Sequence, residues 1–381
     1  MHEGFEIEAV ELRIIALPMV SPFIAAHGTV STRTAVIVRI LGGDDEGWGE
    51  CAALPEPTYS DEFVEGAYLT LQDQLIPRLL KTQGPISPVD LRSVFSDIAG
   101  HPMAKAALEL ALLDAQGRRT TTSLANVLAP HRPGPSATVP AGVALGLTES
   151  PEHLAQEISD RVAEGYGRIK IKIAPGRDID FVRAARQSVA SSIEMSVDAN
   201  GSYTLDDAAT LAALDHFNLA YIEQPLAADN LLDHAELARR ITTPVCLDES
   251  LTSASVTKEA LEMGACSIVC VKAPRLGSWV EAASVLDHCG ALGVGAWVGG
   301  MLDGGIGRAA TIALAAHPGA TLTGDIGATS RFFTDDVCAF FGVEGQDGLG
   351  VVTVPTGPGL GLTVDPAALT RLTVRSDIVR R

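Results

Sequence analysis

Nowhere in the 381 residues does an apolar run reach the roughly 18 residues of a membrane-spanning helix. Met1 to Glu11 carries acidic residues where a secretory signal would carry basic ones. A cytoplasmic protein with no membrane partner is therefore expected. Positive charge is also scarce: 28 Lys and Arg face 47 Asp and Glu, for a formal net charge of −19. With no long basic run, this excludes nucleic acid as a partner, because phosphate binding needs a basic surface. An anionic substrate would have to be attracted locally. The six cysteines include no C-x-x-C pair; Cys266 and Cys270 share a strand face and Cys246 lies in another strand. They read as reduced core residues rather than a structural zinc site. H-E-x-x-H and G-x-S-x-G are missing, and none of the nine histidines ends the strand expected at Val298. The glycine-rich stretch Gly299 to Gly307 fits neither a P-loop nor a properly placed G-x-G-x-x-G, so it reads as a tight turn after a strand.

What the chain does have is a ladder. Lys172, Asp198, Glu223, Asp248 and Lys272 each close a short apolar run, at intervals of 26, 25, 25 and 24 residues. That period is one strand, one helix and their connections, the mark of a repeated βα unit and of a parallel sheet. In Ile169-Lys170-Ile171-Lys172-Ile173, strand alternation puts the isoleucines on one face and the lysines on the other. Helical patterns with polar starts fall between the rungs, at Leu205 to Phe217 and Leu231 to Arg240. In a closed barrel the C-terminal strand ends open onto one face, so all five rungs should share a cavity.

A barrel of about 250 residues leaves roughly 130 over, so two domains are expected. Before the ladder, strands are expected at Phe5 to Leu17, Thr34 to Leu41 and Trp48 to Ala53, then helices at Asp61 to Leu80, Pro88 to Ile98 and Met103 to Arg118. The Pro/Gly-rich stretch Pro130 to Pro135 marks a junction, and Val139 to Leu145 reads as the first barrel strand. Further strands at Val294 to Val298 and Ala320 to Asp325 bring the count to eight. The fold class is α/β: a modified TIM barrel, (β/α)7β, over residues 136–330, an α+β capping domain over 1–130, and a segment 331–381 packing back on the cap.

Three carboxylates with no Cys or His among the rungs form a hard oxygen site suited to Mg2+ or Mn2+. A lysine acting as base at neutral pH needs its proton affinity lowered by about three pKa units, and Lys170 beside Lys172, together with the metal, would push that way. Lys272, four strands further round, would meet a planar intermediate from the opposite side. The arrangement suits abstraction of a proton α to a carboxylate, with the metal stabilising the enediolate. A Schiff-base aldolase would also place a lysine at a strand end, but leaves the three acids unexplained. A non-catalytic binding protein would need none of the rungs.

At these residues the chain resembles the enolase superfamily, in its muconate-lactonising-enzyme-like subgroup, and most of all the o-succinylbenzoate synthase and N-succinylamino acid racemase family. Gly49-Glu50-Cys51, Asp198-Ala199-Asn200, Ile222-Glu223-Gln224-Pro225-Leu226, Leu247-Asp248-Glu249-Ser250, Gly299-Gly300-Met301 and Gly324-Asp325-Ile326 agree with it. The resemblance implies metal ligands Asp198, Glu223 and Asp248, catalytic Lys172, Lys272 and Lys170, and substrate contacts from Phe23, Ile24, Asn200, Gly300, Met301 and Asp303. Capping loops around Ser21 to Thr29 and Leu54 to Ser60 would close over the barrel mouth. It implies syn-dehydration to o-succinylbenzoate, racemisation of an N-acylamino acid, or both, with dipeptide epimerisation and muconate-type cycloisomerisation as alternatives. A role in menaquinone biosynthesis and a homo-oligomer, dimer or octamer, are expected. Ile24 stands where the family commonly has an arginine, Cys270 where it has an asparagine, and Asp303 where it has a glutamate.

Overall fold

The computed structural model describes residues 4–381 apart from 26, 27, 31, 132, 133, 347 and 348, with the side chains of 23–25, 28–30 and 346 also outside the description. The chain opens with β1 (Ala9–Leu17), the short hairpin β2 (Phe23–Ala25) and β3 (Gly28–Val30), then β4 (Arg33–Gly42) and β5 (Asp45–Cys51). β1, β4 and β5 pair antiparallel in one sheet. Alternation sorts their side chains between two cores: Val10, Leu12, Val36, Val38 and Ile40 pack with the cap helices, while Ile15, Leu17, Ala35 and Ile37 pack toward the barrel. The helix Pro102–Thr120 is buried nearly all round, as expected of a helix lodged between two packed units. The stretch expected as one helix from Asp61 to Leu80 is a helix with a π turn at Leu71–Leu75.

The barrel follows. β6 (Thr138–Pro140) leads into β7 (Gly142–Leu145), and then come β8 (Arg168–Lys172), β9 (Glu194–Asp198), β10 (Ile222–Glu223), β11 (Val245–Leu247), β12 (Ile268–Val271) and β13 (Gly295–Val298). β7 to β13 form one curled parallel sheet in sequence order. The expected single strand Val139 to Leu145 is instead broken at Ala141. Pro140 has no N–H for a ladder, β6 pairs with β15 (Leu349–Thr353), and the Ala141 N–H bonds to Gly350 O. β15 in turn pairs with β14 (Glu344–Gln346).

The expected eighth strand, Ala320 to Asp325, is not a regular strand, although it fills the eighth place. The Leu322 N–H donates to Ala296 O and the Asp325 N–H to Val298 O, while the Gly142 N–H on the far edge reaches Ile326 O. Gly324 permits this closure, because a Cβ there would lie 2.3 Å from Val298 O. Inside the barrel Tyr221 stacks on Trp297, with ring centroids 5.9 Å apart, and packs with Cys246 and Cys270. The chain ends with β16 (Thr373–Arg380), which joins the first sheet beside β1. All six cysteines are free thiols, and no described helix is long and apolar enough to cross a membrane.

Candidate active site

Strand register sets the rungs side by side. Lys172 pairs with Asp198, and Asp198 with Glu223, at the C-terminal ends of β8, β9 and β10. Asp248 follows β11 and Lys272 follows β12. Since side chains alternate along β8, Arg168, Lys170 and Lys172 form a column of three cations inside the barrel while Ile169, Ile171 and Ile173 join the outer core.

The lowest cation, Arg168, is buried against the rings of Tyr221 and Trp297 and pairs with Asp325. Above it Lys170 Nζ donates to Glu223 Oε2 and to Asp325 Oδ2, each at 2.7 Å, and lies 3.5 Å from Asp198. At the top Lys172 Nζ donates to Asp198 Oδ2 and to Asn200 Oδ1, both at 2.6 Å. Across the barrel Lys272 Nζ donates to Asp248 Oδ2 at 2.8 Å and to the Tyr59 hydroxyl at 3.1 Å. Arg275 donates to Asp248 Oδ1 and, at 2.7 Å, to the same hydroxyl. Tyr59 belongs to the capping loop, so the cap contributes a phenol to the barrel site.

The electrostatics follow from this pairing. Burial pushes Glu223 up to about 8, reinforced by neighbouring Asp198. Burial acts the same way on Asp248, but Arg275 and Lys272 outweigh it and hold that carboxyl well below the usual range. Asp198 is likewise held low, by Lys172 and Lys170 against burial. Burial would lower Lys170 and Lys272, yet Asp325 and Glu223 hold the first well above the ordinary lysine value, and Asp248 and Tyr59 the second. Each ammonium is met by carboxylates at hydrogen-bond distance, and opposite charge that close favours the charged form.

A cavity of about 100 Å3 is lined by Lys170, Lys172, Asp198, Asn200, Lys272, Gly300, Met301 and Tyr59. A wider groove of about 1190 Å3 runs between cap helices and barrel; it includes Arg275 and shares Tyr59 with the smaller cavity. Both strand-end lysines face the smaller cavity. Asp303 does not line it; it turns back to the Met301 N–H, the Thr311 hydroxyl and Arg308. Phe23 and Ile24 lie in β2, where the side chains are outside the description.

The acids fit a cation. Glu223 is fully buried and its Oε1 has no hydrogen-bond partner among the described residues. Oxygens of Glu223 and Asp248 lie within 4.8 Å of each other. A buried carboxylate oxygen without a partner is costly unless a cation answers it.

Several groups at the site escaped the sequence reading. Gln224, directly after Glu223, has a left-handed backbone (φ 38°), and its Oε1 accepts from the Asp248 and Ser250 N–H groups, tying two strand ends together. Asn200, already expected as a substrate contact, is left-handed too (φ 43°), and such conformations in residues other than glycine concentrate at functional sites. His234 supports this turn, its Nε2 accepting from the Leu226 N–H. Arg275, one helical turn beyond Lys272, had a usable signal in that spacing. Asp325 did too: it closes an apolar run 53 residues after Lys272, about two periods of the ladder. Tyr59 had none.

Comparison with known proteins places this geometry. Residues 9–129 match the mandelate racemase / muconate lactonizing enzyme N-terminal domain, and residues 153–368 match the enolase C-terminal domain-like family. The chain is 43% identical to an N-succinylamino acid racemase of Amycolatopsis sp, over 97% of this chain and 98% of the relative. It is 38% identical to an o-succinylbenzoate synthase of Geobacillus kaustophilus, over 99% of both. A crystal structure of an enolase-superfamily member from Listeria innocua superposes with a TM-score of 0.92 at 33% identity, covering 99% of this chain and all of that one. With both halves matched and relatives aligned along nearly its whole length, the chain belongs to the enolase superfamily, in the group of the N-succinylamino acid racemases and o-succinylbenzoate synthases.

Proposed function

We propose that this enzyme removes the α-proton of a carboxylate substrate with the help of Mg2+, as an N-acylamino acid racemase, an o-succinylbenzoate synthase, or both. The observation that carries the reading is the pair of lysines, Lys172 and Lys272, facing one cavity from opposite sides with the acids Asp198, Glu223 and Asp248 between them. Relatives of both names, aligned over nearly the full chain, support it.

Asp198, Glu223 and Asp248 would hold the cation, an all-oxygen set of the kind Mg2+ or Mn2+ prefers. When bound, the cation supplies Lewis-acid stabilisation of the negative charge that develops on the substrate carboxylate. Lys172 takes the α-proton from one face. In racemisation Lys272 delivers a proton to the other face; in dehydration Lys172 returns its proton to the departing hydroxyl while the Lys272 ammonium stabilises charge. Lys170 lines the same cavity below Lys172. It bridges Glu223 and Asp325 and keeps Glu223 oriented. Asn200, Gly300 and Met301 border the substrate space. The barrel, residues 136–330, carries the chemistry and the cap, residues 1–130, the choice of substrate, with 331–381 returning to the cap.

The test is α-proton exchange in D2O with each enantiomer of an N-succinylamino acid. Lys172→Ala should lose exchange of one enantiomer and Lys272→Ala that of the other. Chelation should stop both and Mg2+ restore them. Wild-type racemisation by either lysine variant would refute the two-sided arrangement, and full turnover in chelator would refute the metal.

A further inference from the structure

We infer that Cys270 completes a second ligand set in the barrel, Glu223, Asp248 and Cys270, which takes a thiophilic divalent cation such as Zn2+, Cd2+ or Co2+. One carboxylate oxygen each from Glu223 and Asp248 and the Cys270 sulfur all lie within 4.8 Å of one another, and all three residues are buried. Glu223 is 0% exposed and keeps one oxygen, Oε1, without a hydrogen-bond partner among the described residues.

The backbone explains why the thiol points there. Cys270 lies in β12 two residues before Lys272, and alternation puts both on the inward face of the barrel. Gly299 leaves room above it, since a Cβ at that position would come within 2.8 Å of the sulfur. The neighbouring barrel thiol, Cys246, is engaged differently, receiving the Trp297 indole N–H at 3.3 Å.

Cation chemistry then separates two overlapping ligand sets. Mg2+ takes oxygen ligands and leaves a thiol aside. Zn2+, Cd2+ and Co2+ accept mixed sulfur and carboxylate donors in compact four-coordinate sites. On binding, the thiol proton is released to solvent and the thiolate joins the two carboxylates against the cation's charge. Such a cation would occupy the acids needed for turnover, so the cysteine makes this enzyme open to inhibition by thiophilic metals. The inference shares Glu223 and Asp248 with the proposed Mg2+ site and rests on that reading only for this consequence.

The experiment titrates the full-length, chelator-stripped protein with CoCl2, following the thiolate-to-cobalt charge-transfer band in the near ultraviolet, and with CdCl2, following affinity by calorimetry. Mg2+ binding is measured in parallel. Wild type and Cys246→Ser should develop the band. Cys270→Ser and Cys270→Asn should lose it, with Cd2+ affinity falling by more than about tenfold, the scale commanded even by partners that only orient a ligand, while Mg2+ still binds. Wild-type protein that binds Mg2+ but shows no band, or a band that survives in either Cys270 variant, overturns the inference and leaves the Mg2+ reading standing. A band that depends on Cys270 in protein that does not bind Mg2+ supports the inference and overturns the Mg2+ reading instead.

Discussion

Glu109 offers a quantitative test of how cap and barrel are joined. It projects from the cap helix Pro102–Thr120 into the N-terminus of the barrel helix Trp279–Leu292, accepting from the Ser278 hydroxyl at 2.7 Å and from the Trp279 and Val280 N–H groups. A helix start welcomes a negative charge, but Glu109 is only 6% exposed. Burial wins over its hydrogen bonds and pushes the carboxyl from 4.5 to about 7. The folded protein therefore binds a proton here that the unfolded chain releases between pH 4.5 and 7. This contribution to stability is full below pH 4.5 and is lost as pH rises through 7. The total is about 3.4 kcal/mol at 1.36 kcal/mol per pKa unit, of which about 2.5 kcal/mol disappears between pH 5 and pH 8. Glu109→Gln removes the titration and keeps an oxygen acceptor. Urea unfolding of both proteins at pH 5 and pH 8, read by tryptophan fluorescence, should show the wild-type advantage shrinking by about that amount with unchanged m-values. A stability difference that stays flat across this range would refute the reasoning and mean that the hydrogen bonds outweigh burial.

Asp325→Asn removes the charge on which both Arg168 and Lys170 lean; a broken buried pair costs about 3–5 kcal/mol, so the urea midpoint should drop clearly, and a loss under about 1 kcal/mol would show that Glu223 and Tyr221 suffice. Gly324→Ala forces a methyl to 2.3 Å from Val298 O at the barrel closure, an overpacking expected to cost about 1–3 kcal/mol, measured by thermal unfolding. Ile24→Arg restores the cation that relatives commonly carry in the capping loop and should shift the kcat/KM ratio of N-succinyl over N-acetyl substrates upward by about tenfold, the worth of one charge-assisted hydrogen bond. No change in that ratio would detach Ile24 from acyl choice.

The ladder was legible because it is a local pattern repeated in phase: each rung closes its own apolar run, and the barrel converts equal spacing into convergence. Lys172, Asp198, Glu223, Asp248 and Lys272 therefore meet as their sequence positions imply. Tyr59 was hidden for the opposite reason. It reaches Lys272 across 213 residues from a loop without periodicity, and only tertiary packing brings them together. The Glu109 cap on Trp279 was equally unreadable, its two ends lying in separate sequence patterns. The break at Ala141 follows from Pro140, a signal present in the sequence but outweighed in the reading by the apolar run around it. Asp303 misled because the glycine-rich turn that carries it folds its carboxylate back onto Met301 and Thr311.

The pairing of β1 with β16 has a consequence for the way the protein is made. Ala9 lies opposite Arg380 and Leu12 opposite Asp377, so roughly 370 residues separate the two strands along the chain. At about 5–20 residues per second, β1 leaves the ribosome on the order of 20–70 s before its neighbour exists. Throughout that interval one edge of the cap sheet is an open template for any passing strand, the kind of edge that invites aggregation. Shielding of β1 during translation, by a chaperone or by a nascent chain that holds back the cap until the barrel is nearly complete, would protect the yield of folded enzyme over that interval.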